Sequence, residues 1–434
     1  MTFIDRTLTS ERLAAIQRDG LRWTVRHAWN NSPFYRRHLE AAGLIDPEQI
    51  RSLDDLSRLP FVDKEQLQAG YPFPLRAAPF ADLVRIHASS GTTGKRKVLC
   101  YTQKDLDVWR DMFARCYELA GLTREDRVQI AVGYGLWTAG VGFQAGCERF
   151  GALAVPVGPA NAEMHCEMLV DLQTTVFCAT ASMALLMAEE VERRGLRDQI
   201  RLQKVILGAE RCSEAMRQRI RDLLGVAQIF DIYGLTEVYG PGTGLDCAHH
   251  QGIHYWADRF IFEIVDPETL QALPPGQTGE LVVTTLCKEG SPLIRYRTHD
   301  ITRLIADPCP CGVPFPRHGR IMGRTDDMFI YRAVNIYPSQ VDHLLGQIPG
   351  IGSEFQIHLR QRENGRDLML IRVERDPAAA AGDDPALAAA VAAAVRRKIL
   401  VRSEVEILDP AALPRTARKS QRVFDHRNGE PGKV

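Results

Sequence analysis

A chain of 434 residues is too long for one typical hydrophobic core, so two domains or more are expected. It is 45% hydrophobic and 25% charged, and 54 basic side chains are matched by 54 acidic ones; this balance gives no support to a nucleic-acid or membrane-surface role, and no apolar run approaches membrane-spanning length. The start, Met1-Thr2-Phe3-Ile4-Asp5-Arg6, lacks the layout of a signal peptide, so a cytoplasmic protein is expected, with its ten cysteines as thiols or metal ligands rather than disulfides.

Leu13, Ile16, Leu21, Val25, Ala28 and Phe34 recur at roughly helical spacing and predict helix over residues 9–42, interrupted at Asn31-Ser32-Pro33. The stretch from His87 to Lys97 then packs Ser89, Ser90, Thr92 and Thr93 with Gly91, Gly94, Lys95, Arg96 and Lys97, between the apolar runs 83–86 and 98–101. Strand, turn, strand is the expected layout. Glycines allow a tight turn, successive amides make a nest for anions, and cations and hydroxyls complete a polyphosphate site. It is not a Walker loop, because Gly94-Lys95 is followed by Arg96 and no helical pattern opens there. Residues 104–119 read as helix. Over 127–232 short apolar runs alternate with helical patterns, which implies βαβ units around a parallel sheet with ligands at the strand carboxyl ends. Residues 259–304 look antiparallel, with Pro274-Pro275-Gly276 as a turn. Residues 385–399 carry strong helix propensity and belong to a small C-terminal α+β domain.

Further motifs follow in order: Tyr233-Gly234-Leu235-Thr236-Glu237, Arg295-Tyr296-Arg297-Thr298-His299-Asp300, Gly323-Arg324-Thr325-Asp326-Asp327, and Lys419 at the end of Leu413-Pro414-Arg415-Thr416-Ala417-Arg418-Lys419. A glycine turn, a hydroxyl and one carboxylate suit Mg²⁺–nucleotide binding, since magnesium takes few carboxylates plus phosphate oxygens. Together with the loop at 89–97, these motifs resemble the adenylate-forming superfamily of acyl-CoA synthetases, adenylation domains and luciferases. The runs 85–94, 233–242 and 334–340, with Asn31-Ser32-Pro33-Phe34-Tyr35-Arg36 and Leu59-Pro60-Phe61-Val62-Asp63-Lys64, resemble the phenylacetate–CoA ligase family over almost the whole chain.

The resemblance implies an α/β fold. A large N-terminal adenylate-forming domain with mixed βαβ sheets would span residues 1–324, and a small mobile C-terminal α+β domain residues 325–434. It implies ATP, Mg²⁺ and CoA as cofactors or co-substrates. Ser89, Ser90, Gly91, Thr92, Thr93, Gly94 and Lys97 would hold the ATP phosphates. Gly208, Ala209, Glu210, Asp231, Ile232 and Tyr233 would line the adenine. Thr236 would contact the α-phosphate and Glu237 would carry magnesium. Asp300, supported by Arg324, would take the ribose; Asp326 would be the hinge; Arg332 would follow it; and Lys419 would be the lysine swung in for adenylation. Four positions depart from the family pattern: Arg96 for proline, Ala333 for glycine, Arg418 for glycine and Gln421 for a second lysine.

Cys247, Cys309 and Cys311, with His249, His250 or His254, form a second constellation. Three thiolates and an imidazole would make a closed tetrahedral zinc site. The resemblance selects His254, with His249 as substitute. It also places Tyr134, Gly135, Trp137, Ala139, Tyr239, Gly240 and Pro241 around the acyl group, where aromatic rings suit a flat aromatic acid. The expected activity is ATP-dependent conversion of an aryl acid to acyl-AMP and then to aryl-CoA. The alternative acceptor is a carrier-protein thiol or an amine. No nucleic-acid or membrane partner is expected, and the family suggests a homodimer.

Overall fold

The computed structural model describes residues 2–89, 95–327, 329–332, 334–361, 367–414 and 421–427. The N-terminal helical stretch divides into Ser10–Asn31, capped by the Thr9 side chain on the Arg12 amide, and Pro33–Ala41. Ser32 between them is extended (φ −113°, ψ 111°). A residue before proline is pushed out of the helical region, and Pro33 starts the next helix where its missing N–H is no loss.

Strand β1 (Leu83–Ala88) pairs antiparallel with β2 (Val98–Thr102), Ala88 opposite Val98, so the stretch around the glycine-rich loop is a hairpin. A Thr102–Asp105 capping box then starts the helix Gln103–Leu119. Next come β3 (Arg127–Ile130), β4 (Leu153–Val155), β5 (Val176–Thr180), β6 (Lys204–Gly208) and β7 (Gln228–Leu235), all parallel, as the alternation of apolar and helical runs predicts. Antiparallel strands β8 (Gly240–Asp246) and β9 (Ile253–Tyr255) extend this sheet, while β10 (Phe260–Val265), β11 (Gly279–Thr285) and β12 (Tyr296–Thr302) begin another. Strands β13 (Leu304–Ile305) and β14 (Arg317–His318) return to the first sheet, which runs β13-β14-β9-β8-β7-β6-β5-β3-β4 among the described residues. Strand β15 (Gly323–Arg324) closes the second, β10-β11-β12-β15, and sets Arg324 opposite Asp300.

The parallel strands are apolar on both faces. Val176 and Cys178 of β5 join one core, whereas Phe177 and Ala179 join the other. Side chains alternate across a strand, so a sheet covered on both sides needs an unbroken apolar run. A third core, from Phe329 to Val423, is separate from these. It lies in a smaller unit: the hairpin β16 (Phe329–Tyr331) and β17 (Val334–Ile336), then β18 (Ile351–Gln361), β19 (Asp367–Arg375), β20 (Glu404–Leu408) and β21 (Val423–Asp425) in order β20-β19-β18-β21. The helix Asp384–Lys398 belongs to this unit, where helix propensity predicts one. No described helix is long and apolar enough to cross a membrane.

Candidate active site

The carboxyl ends of β6 and β7 and the β1–β2 hairpin converge. Ser90 to Gly94 lie outside the described residues, but the loop's shoulders are defined. The Ser89 amide donates to the Lys97 carbonyl (3.1 Å), and the Lys97 amide donates to Ser89 Oγ (3.3 Å). The Lys97 ammonium pairs with the Glu237 carboxylate. Glu237 is buried, which pushes its carboxyl up, but Lys97 more than offsets this and holds it below the usual carboxylate range. Tyr296 Oη donates to the same carboxylate at 3.2 Å. One ionised, oriented carboxylate beside a half-buried Thr236 is a donor set that suits magnesium with phosphate oxygens.

The turn bearing these groups is sterically demanding. A Cβ at Gly234 would collide with the Gly240 carbonyl, so only glycine lets β8 fold back so closely on β7. Tyr239 has φ +74°, and the Tyr101 hydroxyl donates to the carbonyls of Thr236 and Tyr239 (3.3 Å each). Lys288, a residue the sequence motifs do not single out, is fully buried and donates to the Glu237 carbonyl at 2.9 Å. Burial brings its ammonium down to about 8, against the pull of Asp105, Cys100 and Glu237.

Asp300, expected at the ribose, accepts from Tyr233 Oη (2.8 Å) and Arg324 Nη1 (2.7 Å). Arg324 continues to Asp326 (Nε–Oδ1 2.9 Å), and Asp326 accepts from Lys64 Nζ (2.7 Å). His299 adds links to Asp63 Oδ1 and Thr325 Oγ1, both at 2.8 Å. Burial raises the Asp326 carboxyl, but Arg324 and Lys64 outweigh it and keep it far below the usual range. The expected ribose and hinge residues thus form one charged chain, and Lys64 and His299 are members that the sequence motifs leave unassigned.

Among the residues expected to line the adenine, Ala209 has φ +66°, and Glu210 Oε2 accepts from Ser182 Oγ at 2.6 Å. Gly208 faces the Ile232 side chain so closely that a Cβ would sit 2.8 Å from it. The Asp231 carboxylate holds Arg217 (2.6 and 2.7 Å) and Arg320 (2.7 Å), and its amide donates to Asp246 Oδ1 at 2.8 Å. Arg332 Nη2 donates to the Asp367 carbonyl (3.0 Å), and its guanidinium lies over Tyr331, so its described partners are in the small unit. Arg211, next to Glu210, spans the two units by pairing with Asp342 (2.8 Å) and donating to the Ser339 carbonyl (2.9 Å). Lys419 and Ala333 lie outside the described residues.

Of the expected acyl-binding residues, Tyr134 and Trp137 are half-buried and Gly135 is exposed; Ala139 and Gly140, both buried, begin the helix Ala139–Phe150. Trp137 packs on Gly133, where a Cβ would meet its ring at 3.2 Å. Pro241 gives its carbonyl to Trp109 Nε1 (2.9 Å). The ring of Tyr239 does not line an opening: it is fully buried against Tyr101 and Phe260, because its positive φ turns it into the core. His87, 1% exposed, faces the Leu136 carbonyl through Nδ1 (3.2 Å), and burial lowers it to about 4, which keeps it neutral. His87 Nε2, Tyr134 Oη and Thr138 Oγ1 have no hydrogen-bond partner among the described residues.

The cysteine–histidine constellation forms at the edge of the large sheet. The donor atoms of Cys247, His254, Cys309 and Cys311 all lie within 4.8 Å of one another. Cys247 Sγ is 3.6 Å from Cys309 Sγ, and Cys311 Sγ is 3.3 Å from His254 Nε2. Metal–ligand bonds of about 2.0–2.3 Å in a tetrahedron give donor separations of this size. His254 Nδ1 faces the Phe315 carbonyl at 2.9 Å, which orients the ring and leaves Nε2 to the thiols; burial lowers this imidazole to about 4, the neutral form a metal needs. The alternatives are elsewhere: His249 is exposed, and His250 is held by Asp246 (2.7 Å) and Gln228 (2.6 Å).

Residues 3–287 match the family model described as AMP-binding enzyme, and residues 333–427 match the AMP-binding enzyme C-terminal domain. The chain belongs to the AMP-binding enzyme family. It is 39% identical over 429 residues to a phenylacetate-coenzyme A ligase of Aromatoleum evansii, covering 97% of this chain and 96% of that one. Among solved structures, a 2-hydroxyisobutyryl-CoA ligase in the postadenylation state is 29% identical and superposes with a TM-score of 0.86, covering 96% of this chain and 90% of that one. The same enzyme in its thioesterification state, also 29% identical, gives 0.71 over 98% and 93% of the two chains. The chain thus superposes better on the postadenylation form of that enzyme than on its thioesterification form. As a member of this family the chain is an AMP-forming acid–CoA ligase, with ATP and CoA as substrates.

Proposed function

We propose that the acid is aromatic, close to phenylacetate in shape, and that the chain converts it to an acyl-AMP and then to an aryl-CoA. The observation that carries this is the Lys97–Glu237–Tyr296 cluster set against Asp300–Arg324–Asp326, with Trp137 and Tyr134 on the acyl side. In the first half-reaction the carboxylate of the acid attacks the ATP α-phosphorus and pyrophosphate leaves. Lys97 and the loop hydroxyls offset charge on the leaving phosphates, Asp300 fixes the ribose, and Thr236 meets the α-phosphate. Glu237 and Thr236 would hold magnesium, which supplies neutralising charge on the phosphate oxygens. The small domain, beginning near residue 325, then rotates about Asp326. That motion must break the Arg211–Asp342 pair, which joins the large unit to the small one. A thiolate attacks the acyl carbon and AMP departs. CoA is the acceptor in this reading; a carrier-protein thiol is the alternative. The test is pyrophosphate release across a panel of aromatic and aliphatic acids, followed by thioester analysis with and without CoA. Preference for an aliphatic acid overturns the aryl assignment, and activation without CoA-thioester formation favours the alternative acceptor.

Trp137 carries the shape argument now that Tyr239 is a core residue. A half-buried indole on a glycine backbone favours flat acids and limits length. Aromatic acids are expected to exceed octanoate in kcat/KM by about 10²-fold. Trp137→Ala should move the preference towards bulkier acids while KM for ATP stays nearly constant. An unchanged ranking would return Trp137 to a purely packing role.

Cys247, His254, Cys309 and Cys311 are assigned to a structural zinc ion. Four protein donors leave no open position for substrate, and the site ties the loop following β13 to β8 and β9.

A further inference from the structure

Lys288 is not used by the chemistry above, yet its environment is unusual. It follows β11, is 0% exposed, and has its ammonium 4.6 Å from the ring centroid of Tyr101 and 4.7 Å from that of Tyr239. Its described hydrogen bond is to the main-chain carbonyl of Glu237, 2.9 Å away. The segment carrying Lys288 is itself pinned: the amides of Glu289 and Gly290 donate to Asp105 (2.8 Å each), at the capping box of the helix Gln103–Leu119. A Cβ at Gly290 would collide with the Cys100 carbonyl, so this loop passes tightly over β2.

A buried ammonium is costly to desolvate, and tyrosine faces and one carbonyl return only part of that cost. Packing alone would be served by an apolar side chain of equal length. The cation instead sits at the back of the turn whose front carries the Glu237 carboxylate. That turn holds a positive φ at Tyr239 and a glycine at 240, so it needs external anchors. Tyr101 supplies two, and Lys288 supplies one on the Glu237 main-chain carbonyl.

We propose that Lys288 is a positioning residue for acyl-AMP formation: its ammonium, boxed by Tyr101 and Tyr239, anchors the Glu237 carbonyl and so aims the Glu237 carboxylate at the magnesium–nucleotide site. This rests on the assignment of Glu237 to magnesium.

The test is Lys288→Met in the full-length enzyme, read in both half-reactions. The pyrophosphate-exchange rate is expected to fall about 100-fold, as for a misplaced reacting group. The Mg²⁺ concentration for half-maximal rate should rise several-fold, while KM for the acid and thioester formation from pre-made acyl-AMP should stay within about threefold of wild type. Melting temperature should fall by a few degrees, because the buried Glu237 carbonyl loses its donor and Asp105 its neighbouring cation. Lys288→Arg, which restores a cation and a donor, should recover part of the rate. A near-normal exchange rate and Mg²⁺ requirement in Lys288→Met, or equal loss in both half-reactions, would overturn the proposal. Should the Met variant fail to fold, Lys288→Gln decides by the same readouts. A wild type that does not exchange pyrophosphate at all would instead overturn the parent assignment of the site.

Discussion

Lys419→Ala is expected to reduce acyl-AMP formation by about 10²–10³-fold, the effect of removing one preorganised charge from a transition state. It should leave thioester formation from pre-made acyl-AMP close to wild type. In the family mechanism this lysine is brought to the acid carboxylate and α-phosphate by the small domain, and a compact, mobile ammonium suits that task. Lys419 lies outside the described residues, so the assignment rests on the motif 413–419 and on the family match of residues 333–427. The measurement is pyrophosphate exchange beside CoA-dependent consumption of synthetic acyl-AMP. Equal loss in both would falsify the assignment, because the lysine is required to leave the site before the thiol attacks.

The second large effect concerns metal. Gently purified protein is expected to contain about one zinc ion per chain, held in a closed four-donor site. Cys309→Ser should cost more than about 3 kcal/mol of stability, since the binding energy of a structural zinc is folding energy. The activity of the fraction that remains folded should change much less. The thiols also foretell a pH dependence. Without a metal, burial pushes the Cys247 thiol up to about 12 and raises Cys311, while at Cys309 burial is outweighed by hydrogen bonds from Cys311 and Cys247, which bring the thiol below its usual range. Metal uptake must therefore release protons, and affinity should rise with pH. Metal analysis, thermal unfolding with and without chelator, and zinc competition at several pH values check all three. Protein purified without chelator and found free of zinc would remove the assignment.

Much of the fold and some of the site were legible in the residues because they are encoded locally. The alternation of apolar runs with helical periodicity over 127–232 specified parallel strands, since a strand buried on both faces must be continuously apolar. Pro33 ended one helix and began another by fixing its own φ and its neighbour's. The hairpin around Ser89 to Lys97 followed from glycines, hydroxyls and cations between two strand-forming runs. Gly234 was readable as part of a tight turn, although the carbonyl that excludes a side chain there belongs to Gly240.

What the sequence by itself determined is thus the order of the elements, the glycine-rich hairpin, the carboxylates at Glu237, Asp300 and Asp326, and the set of candidate metal donors. Only the tertiary structure decided which donors meet and which rings face inward. Three histidines lie between residues 249 and 254, and strand pairing put His254, not His249 or His250, beside the thiols. Tyr239 carries the same polar ring in any sequence reading, and its left-handed backbone sent it into the core. Lys64 meets Asp326 across 262 positions, and Lys288 reaches Glu237 across 51. No local pattern encodes such contacts. They depend on the closure of the sheets around a common core, where burial turns an ordinary lysine into a fixed charge.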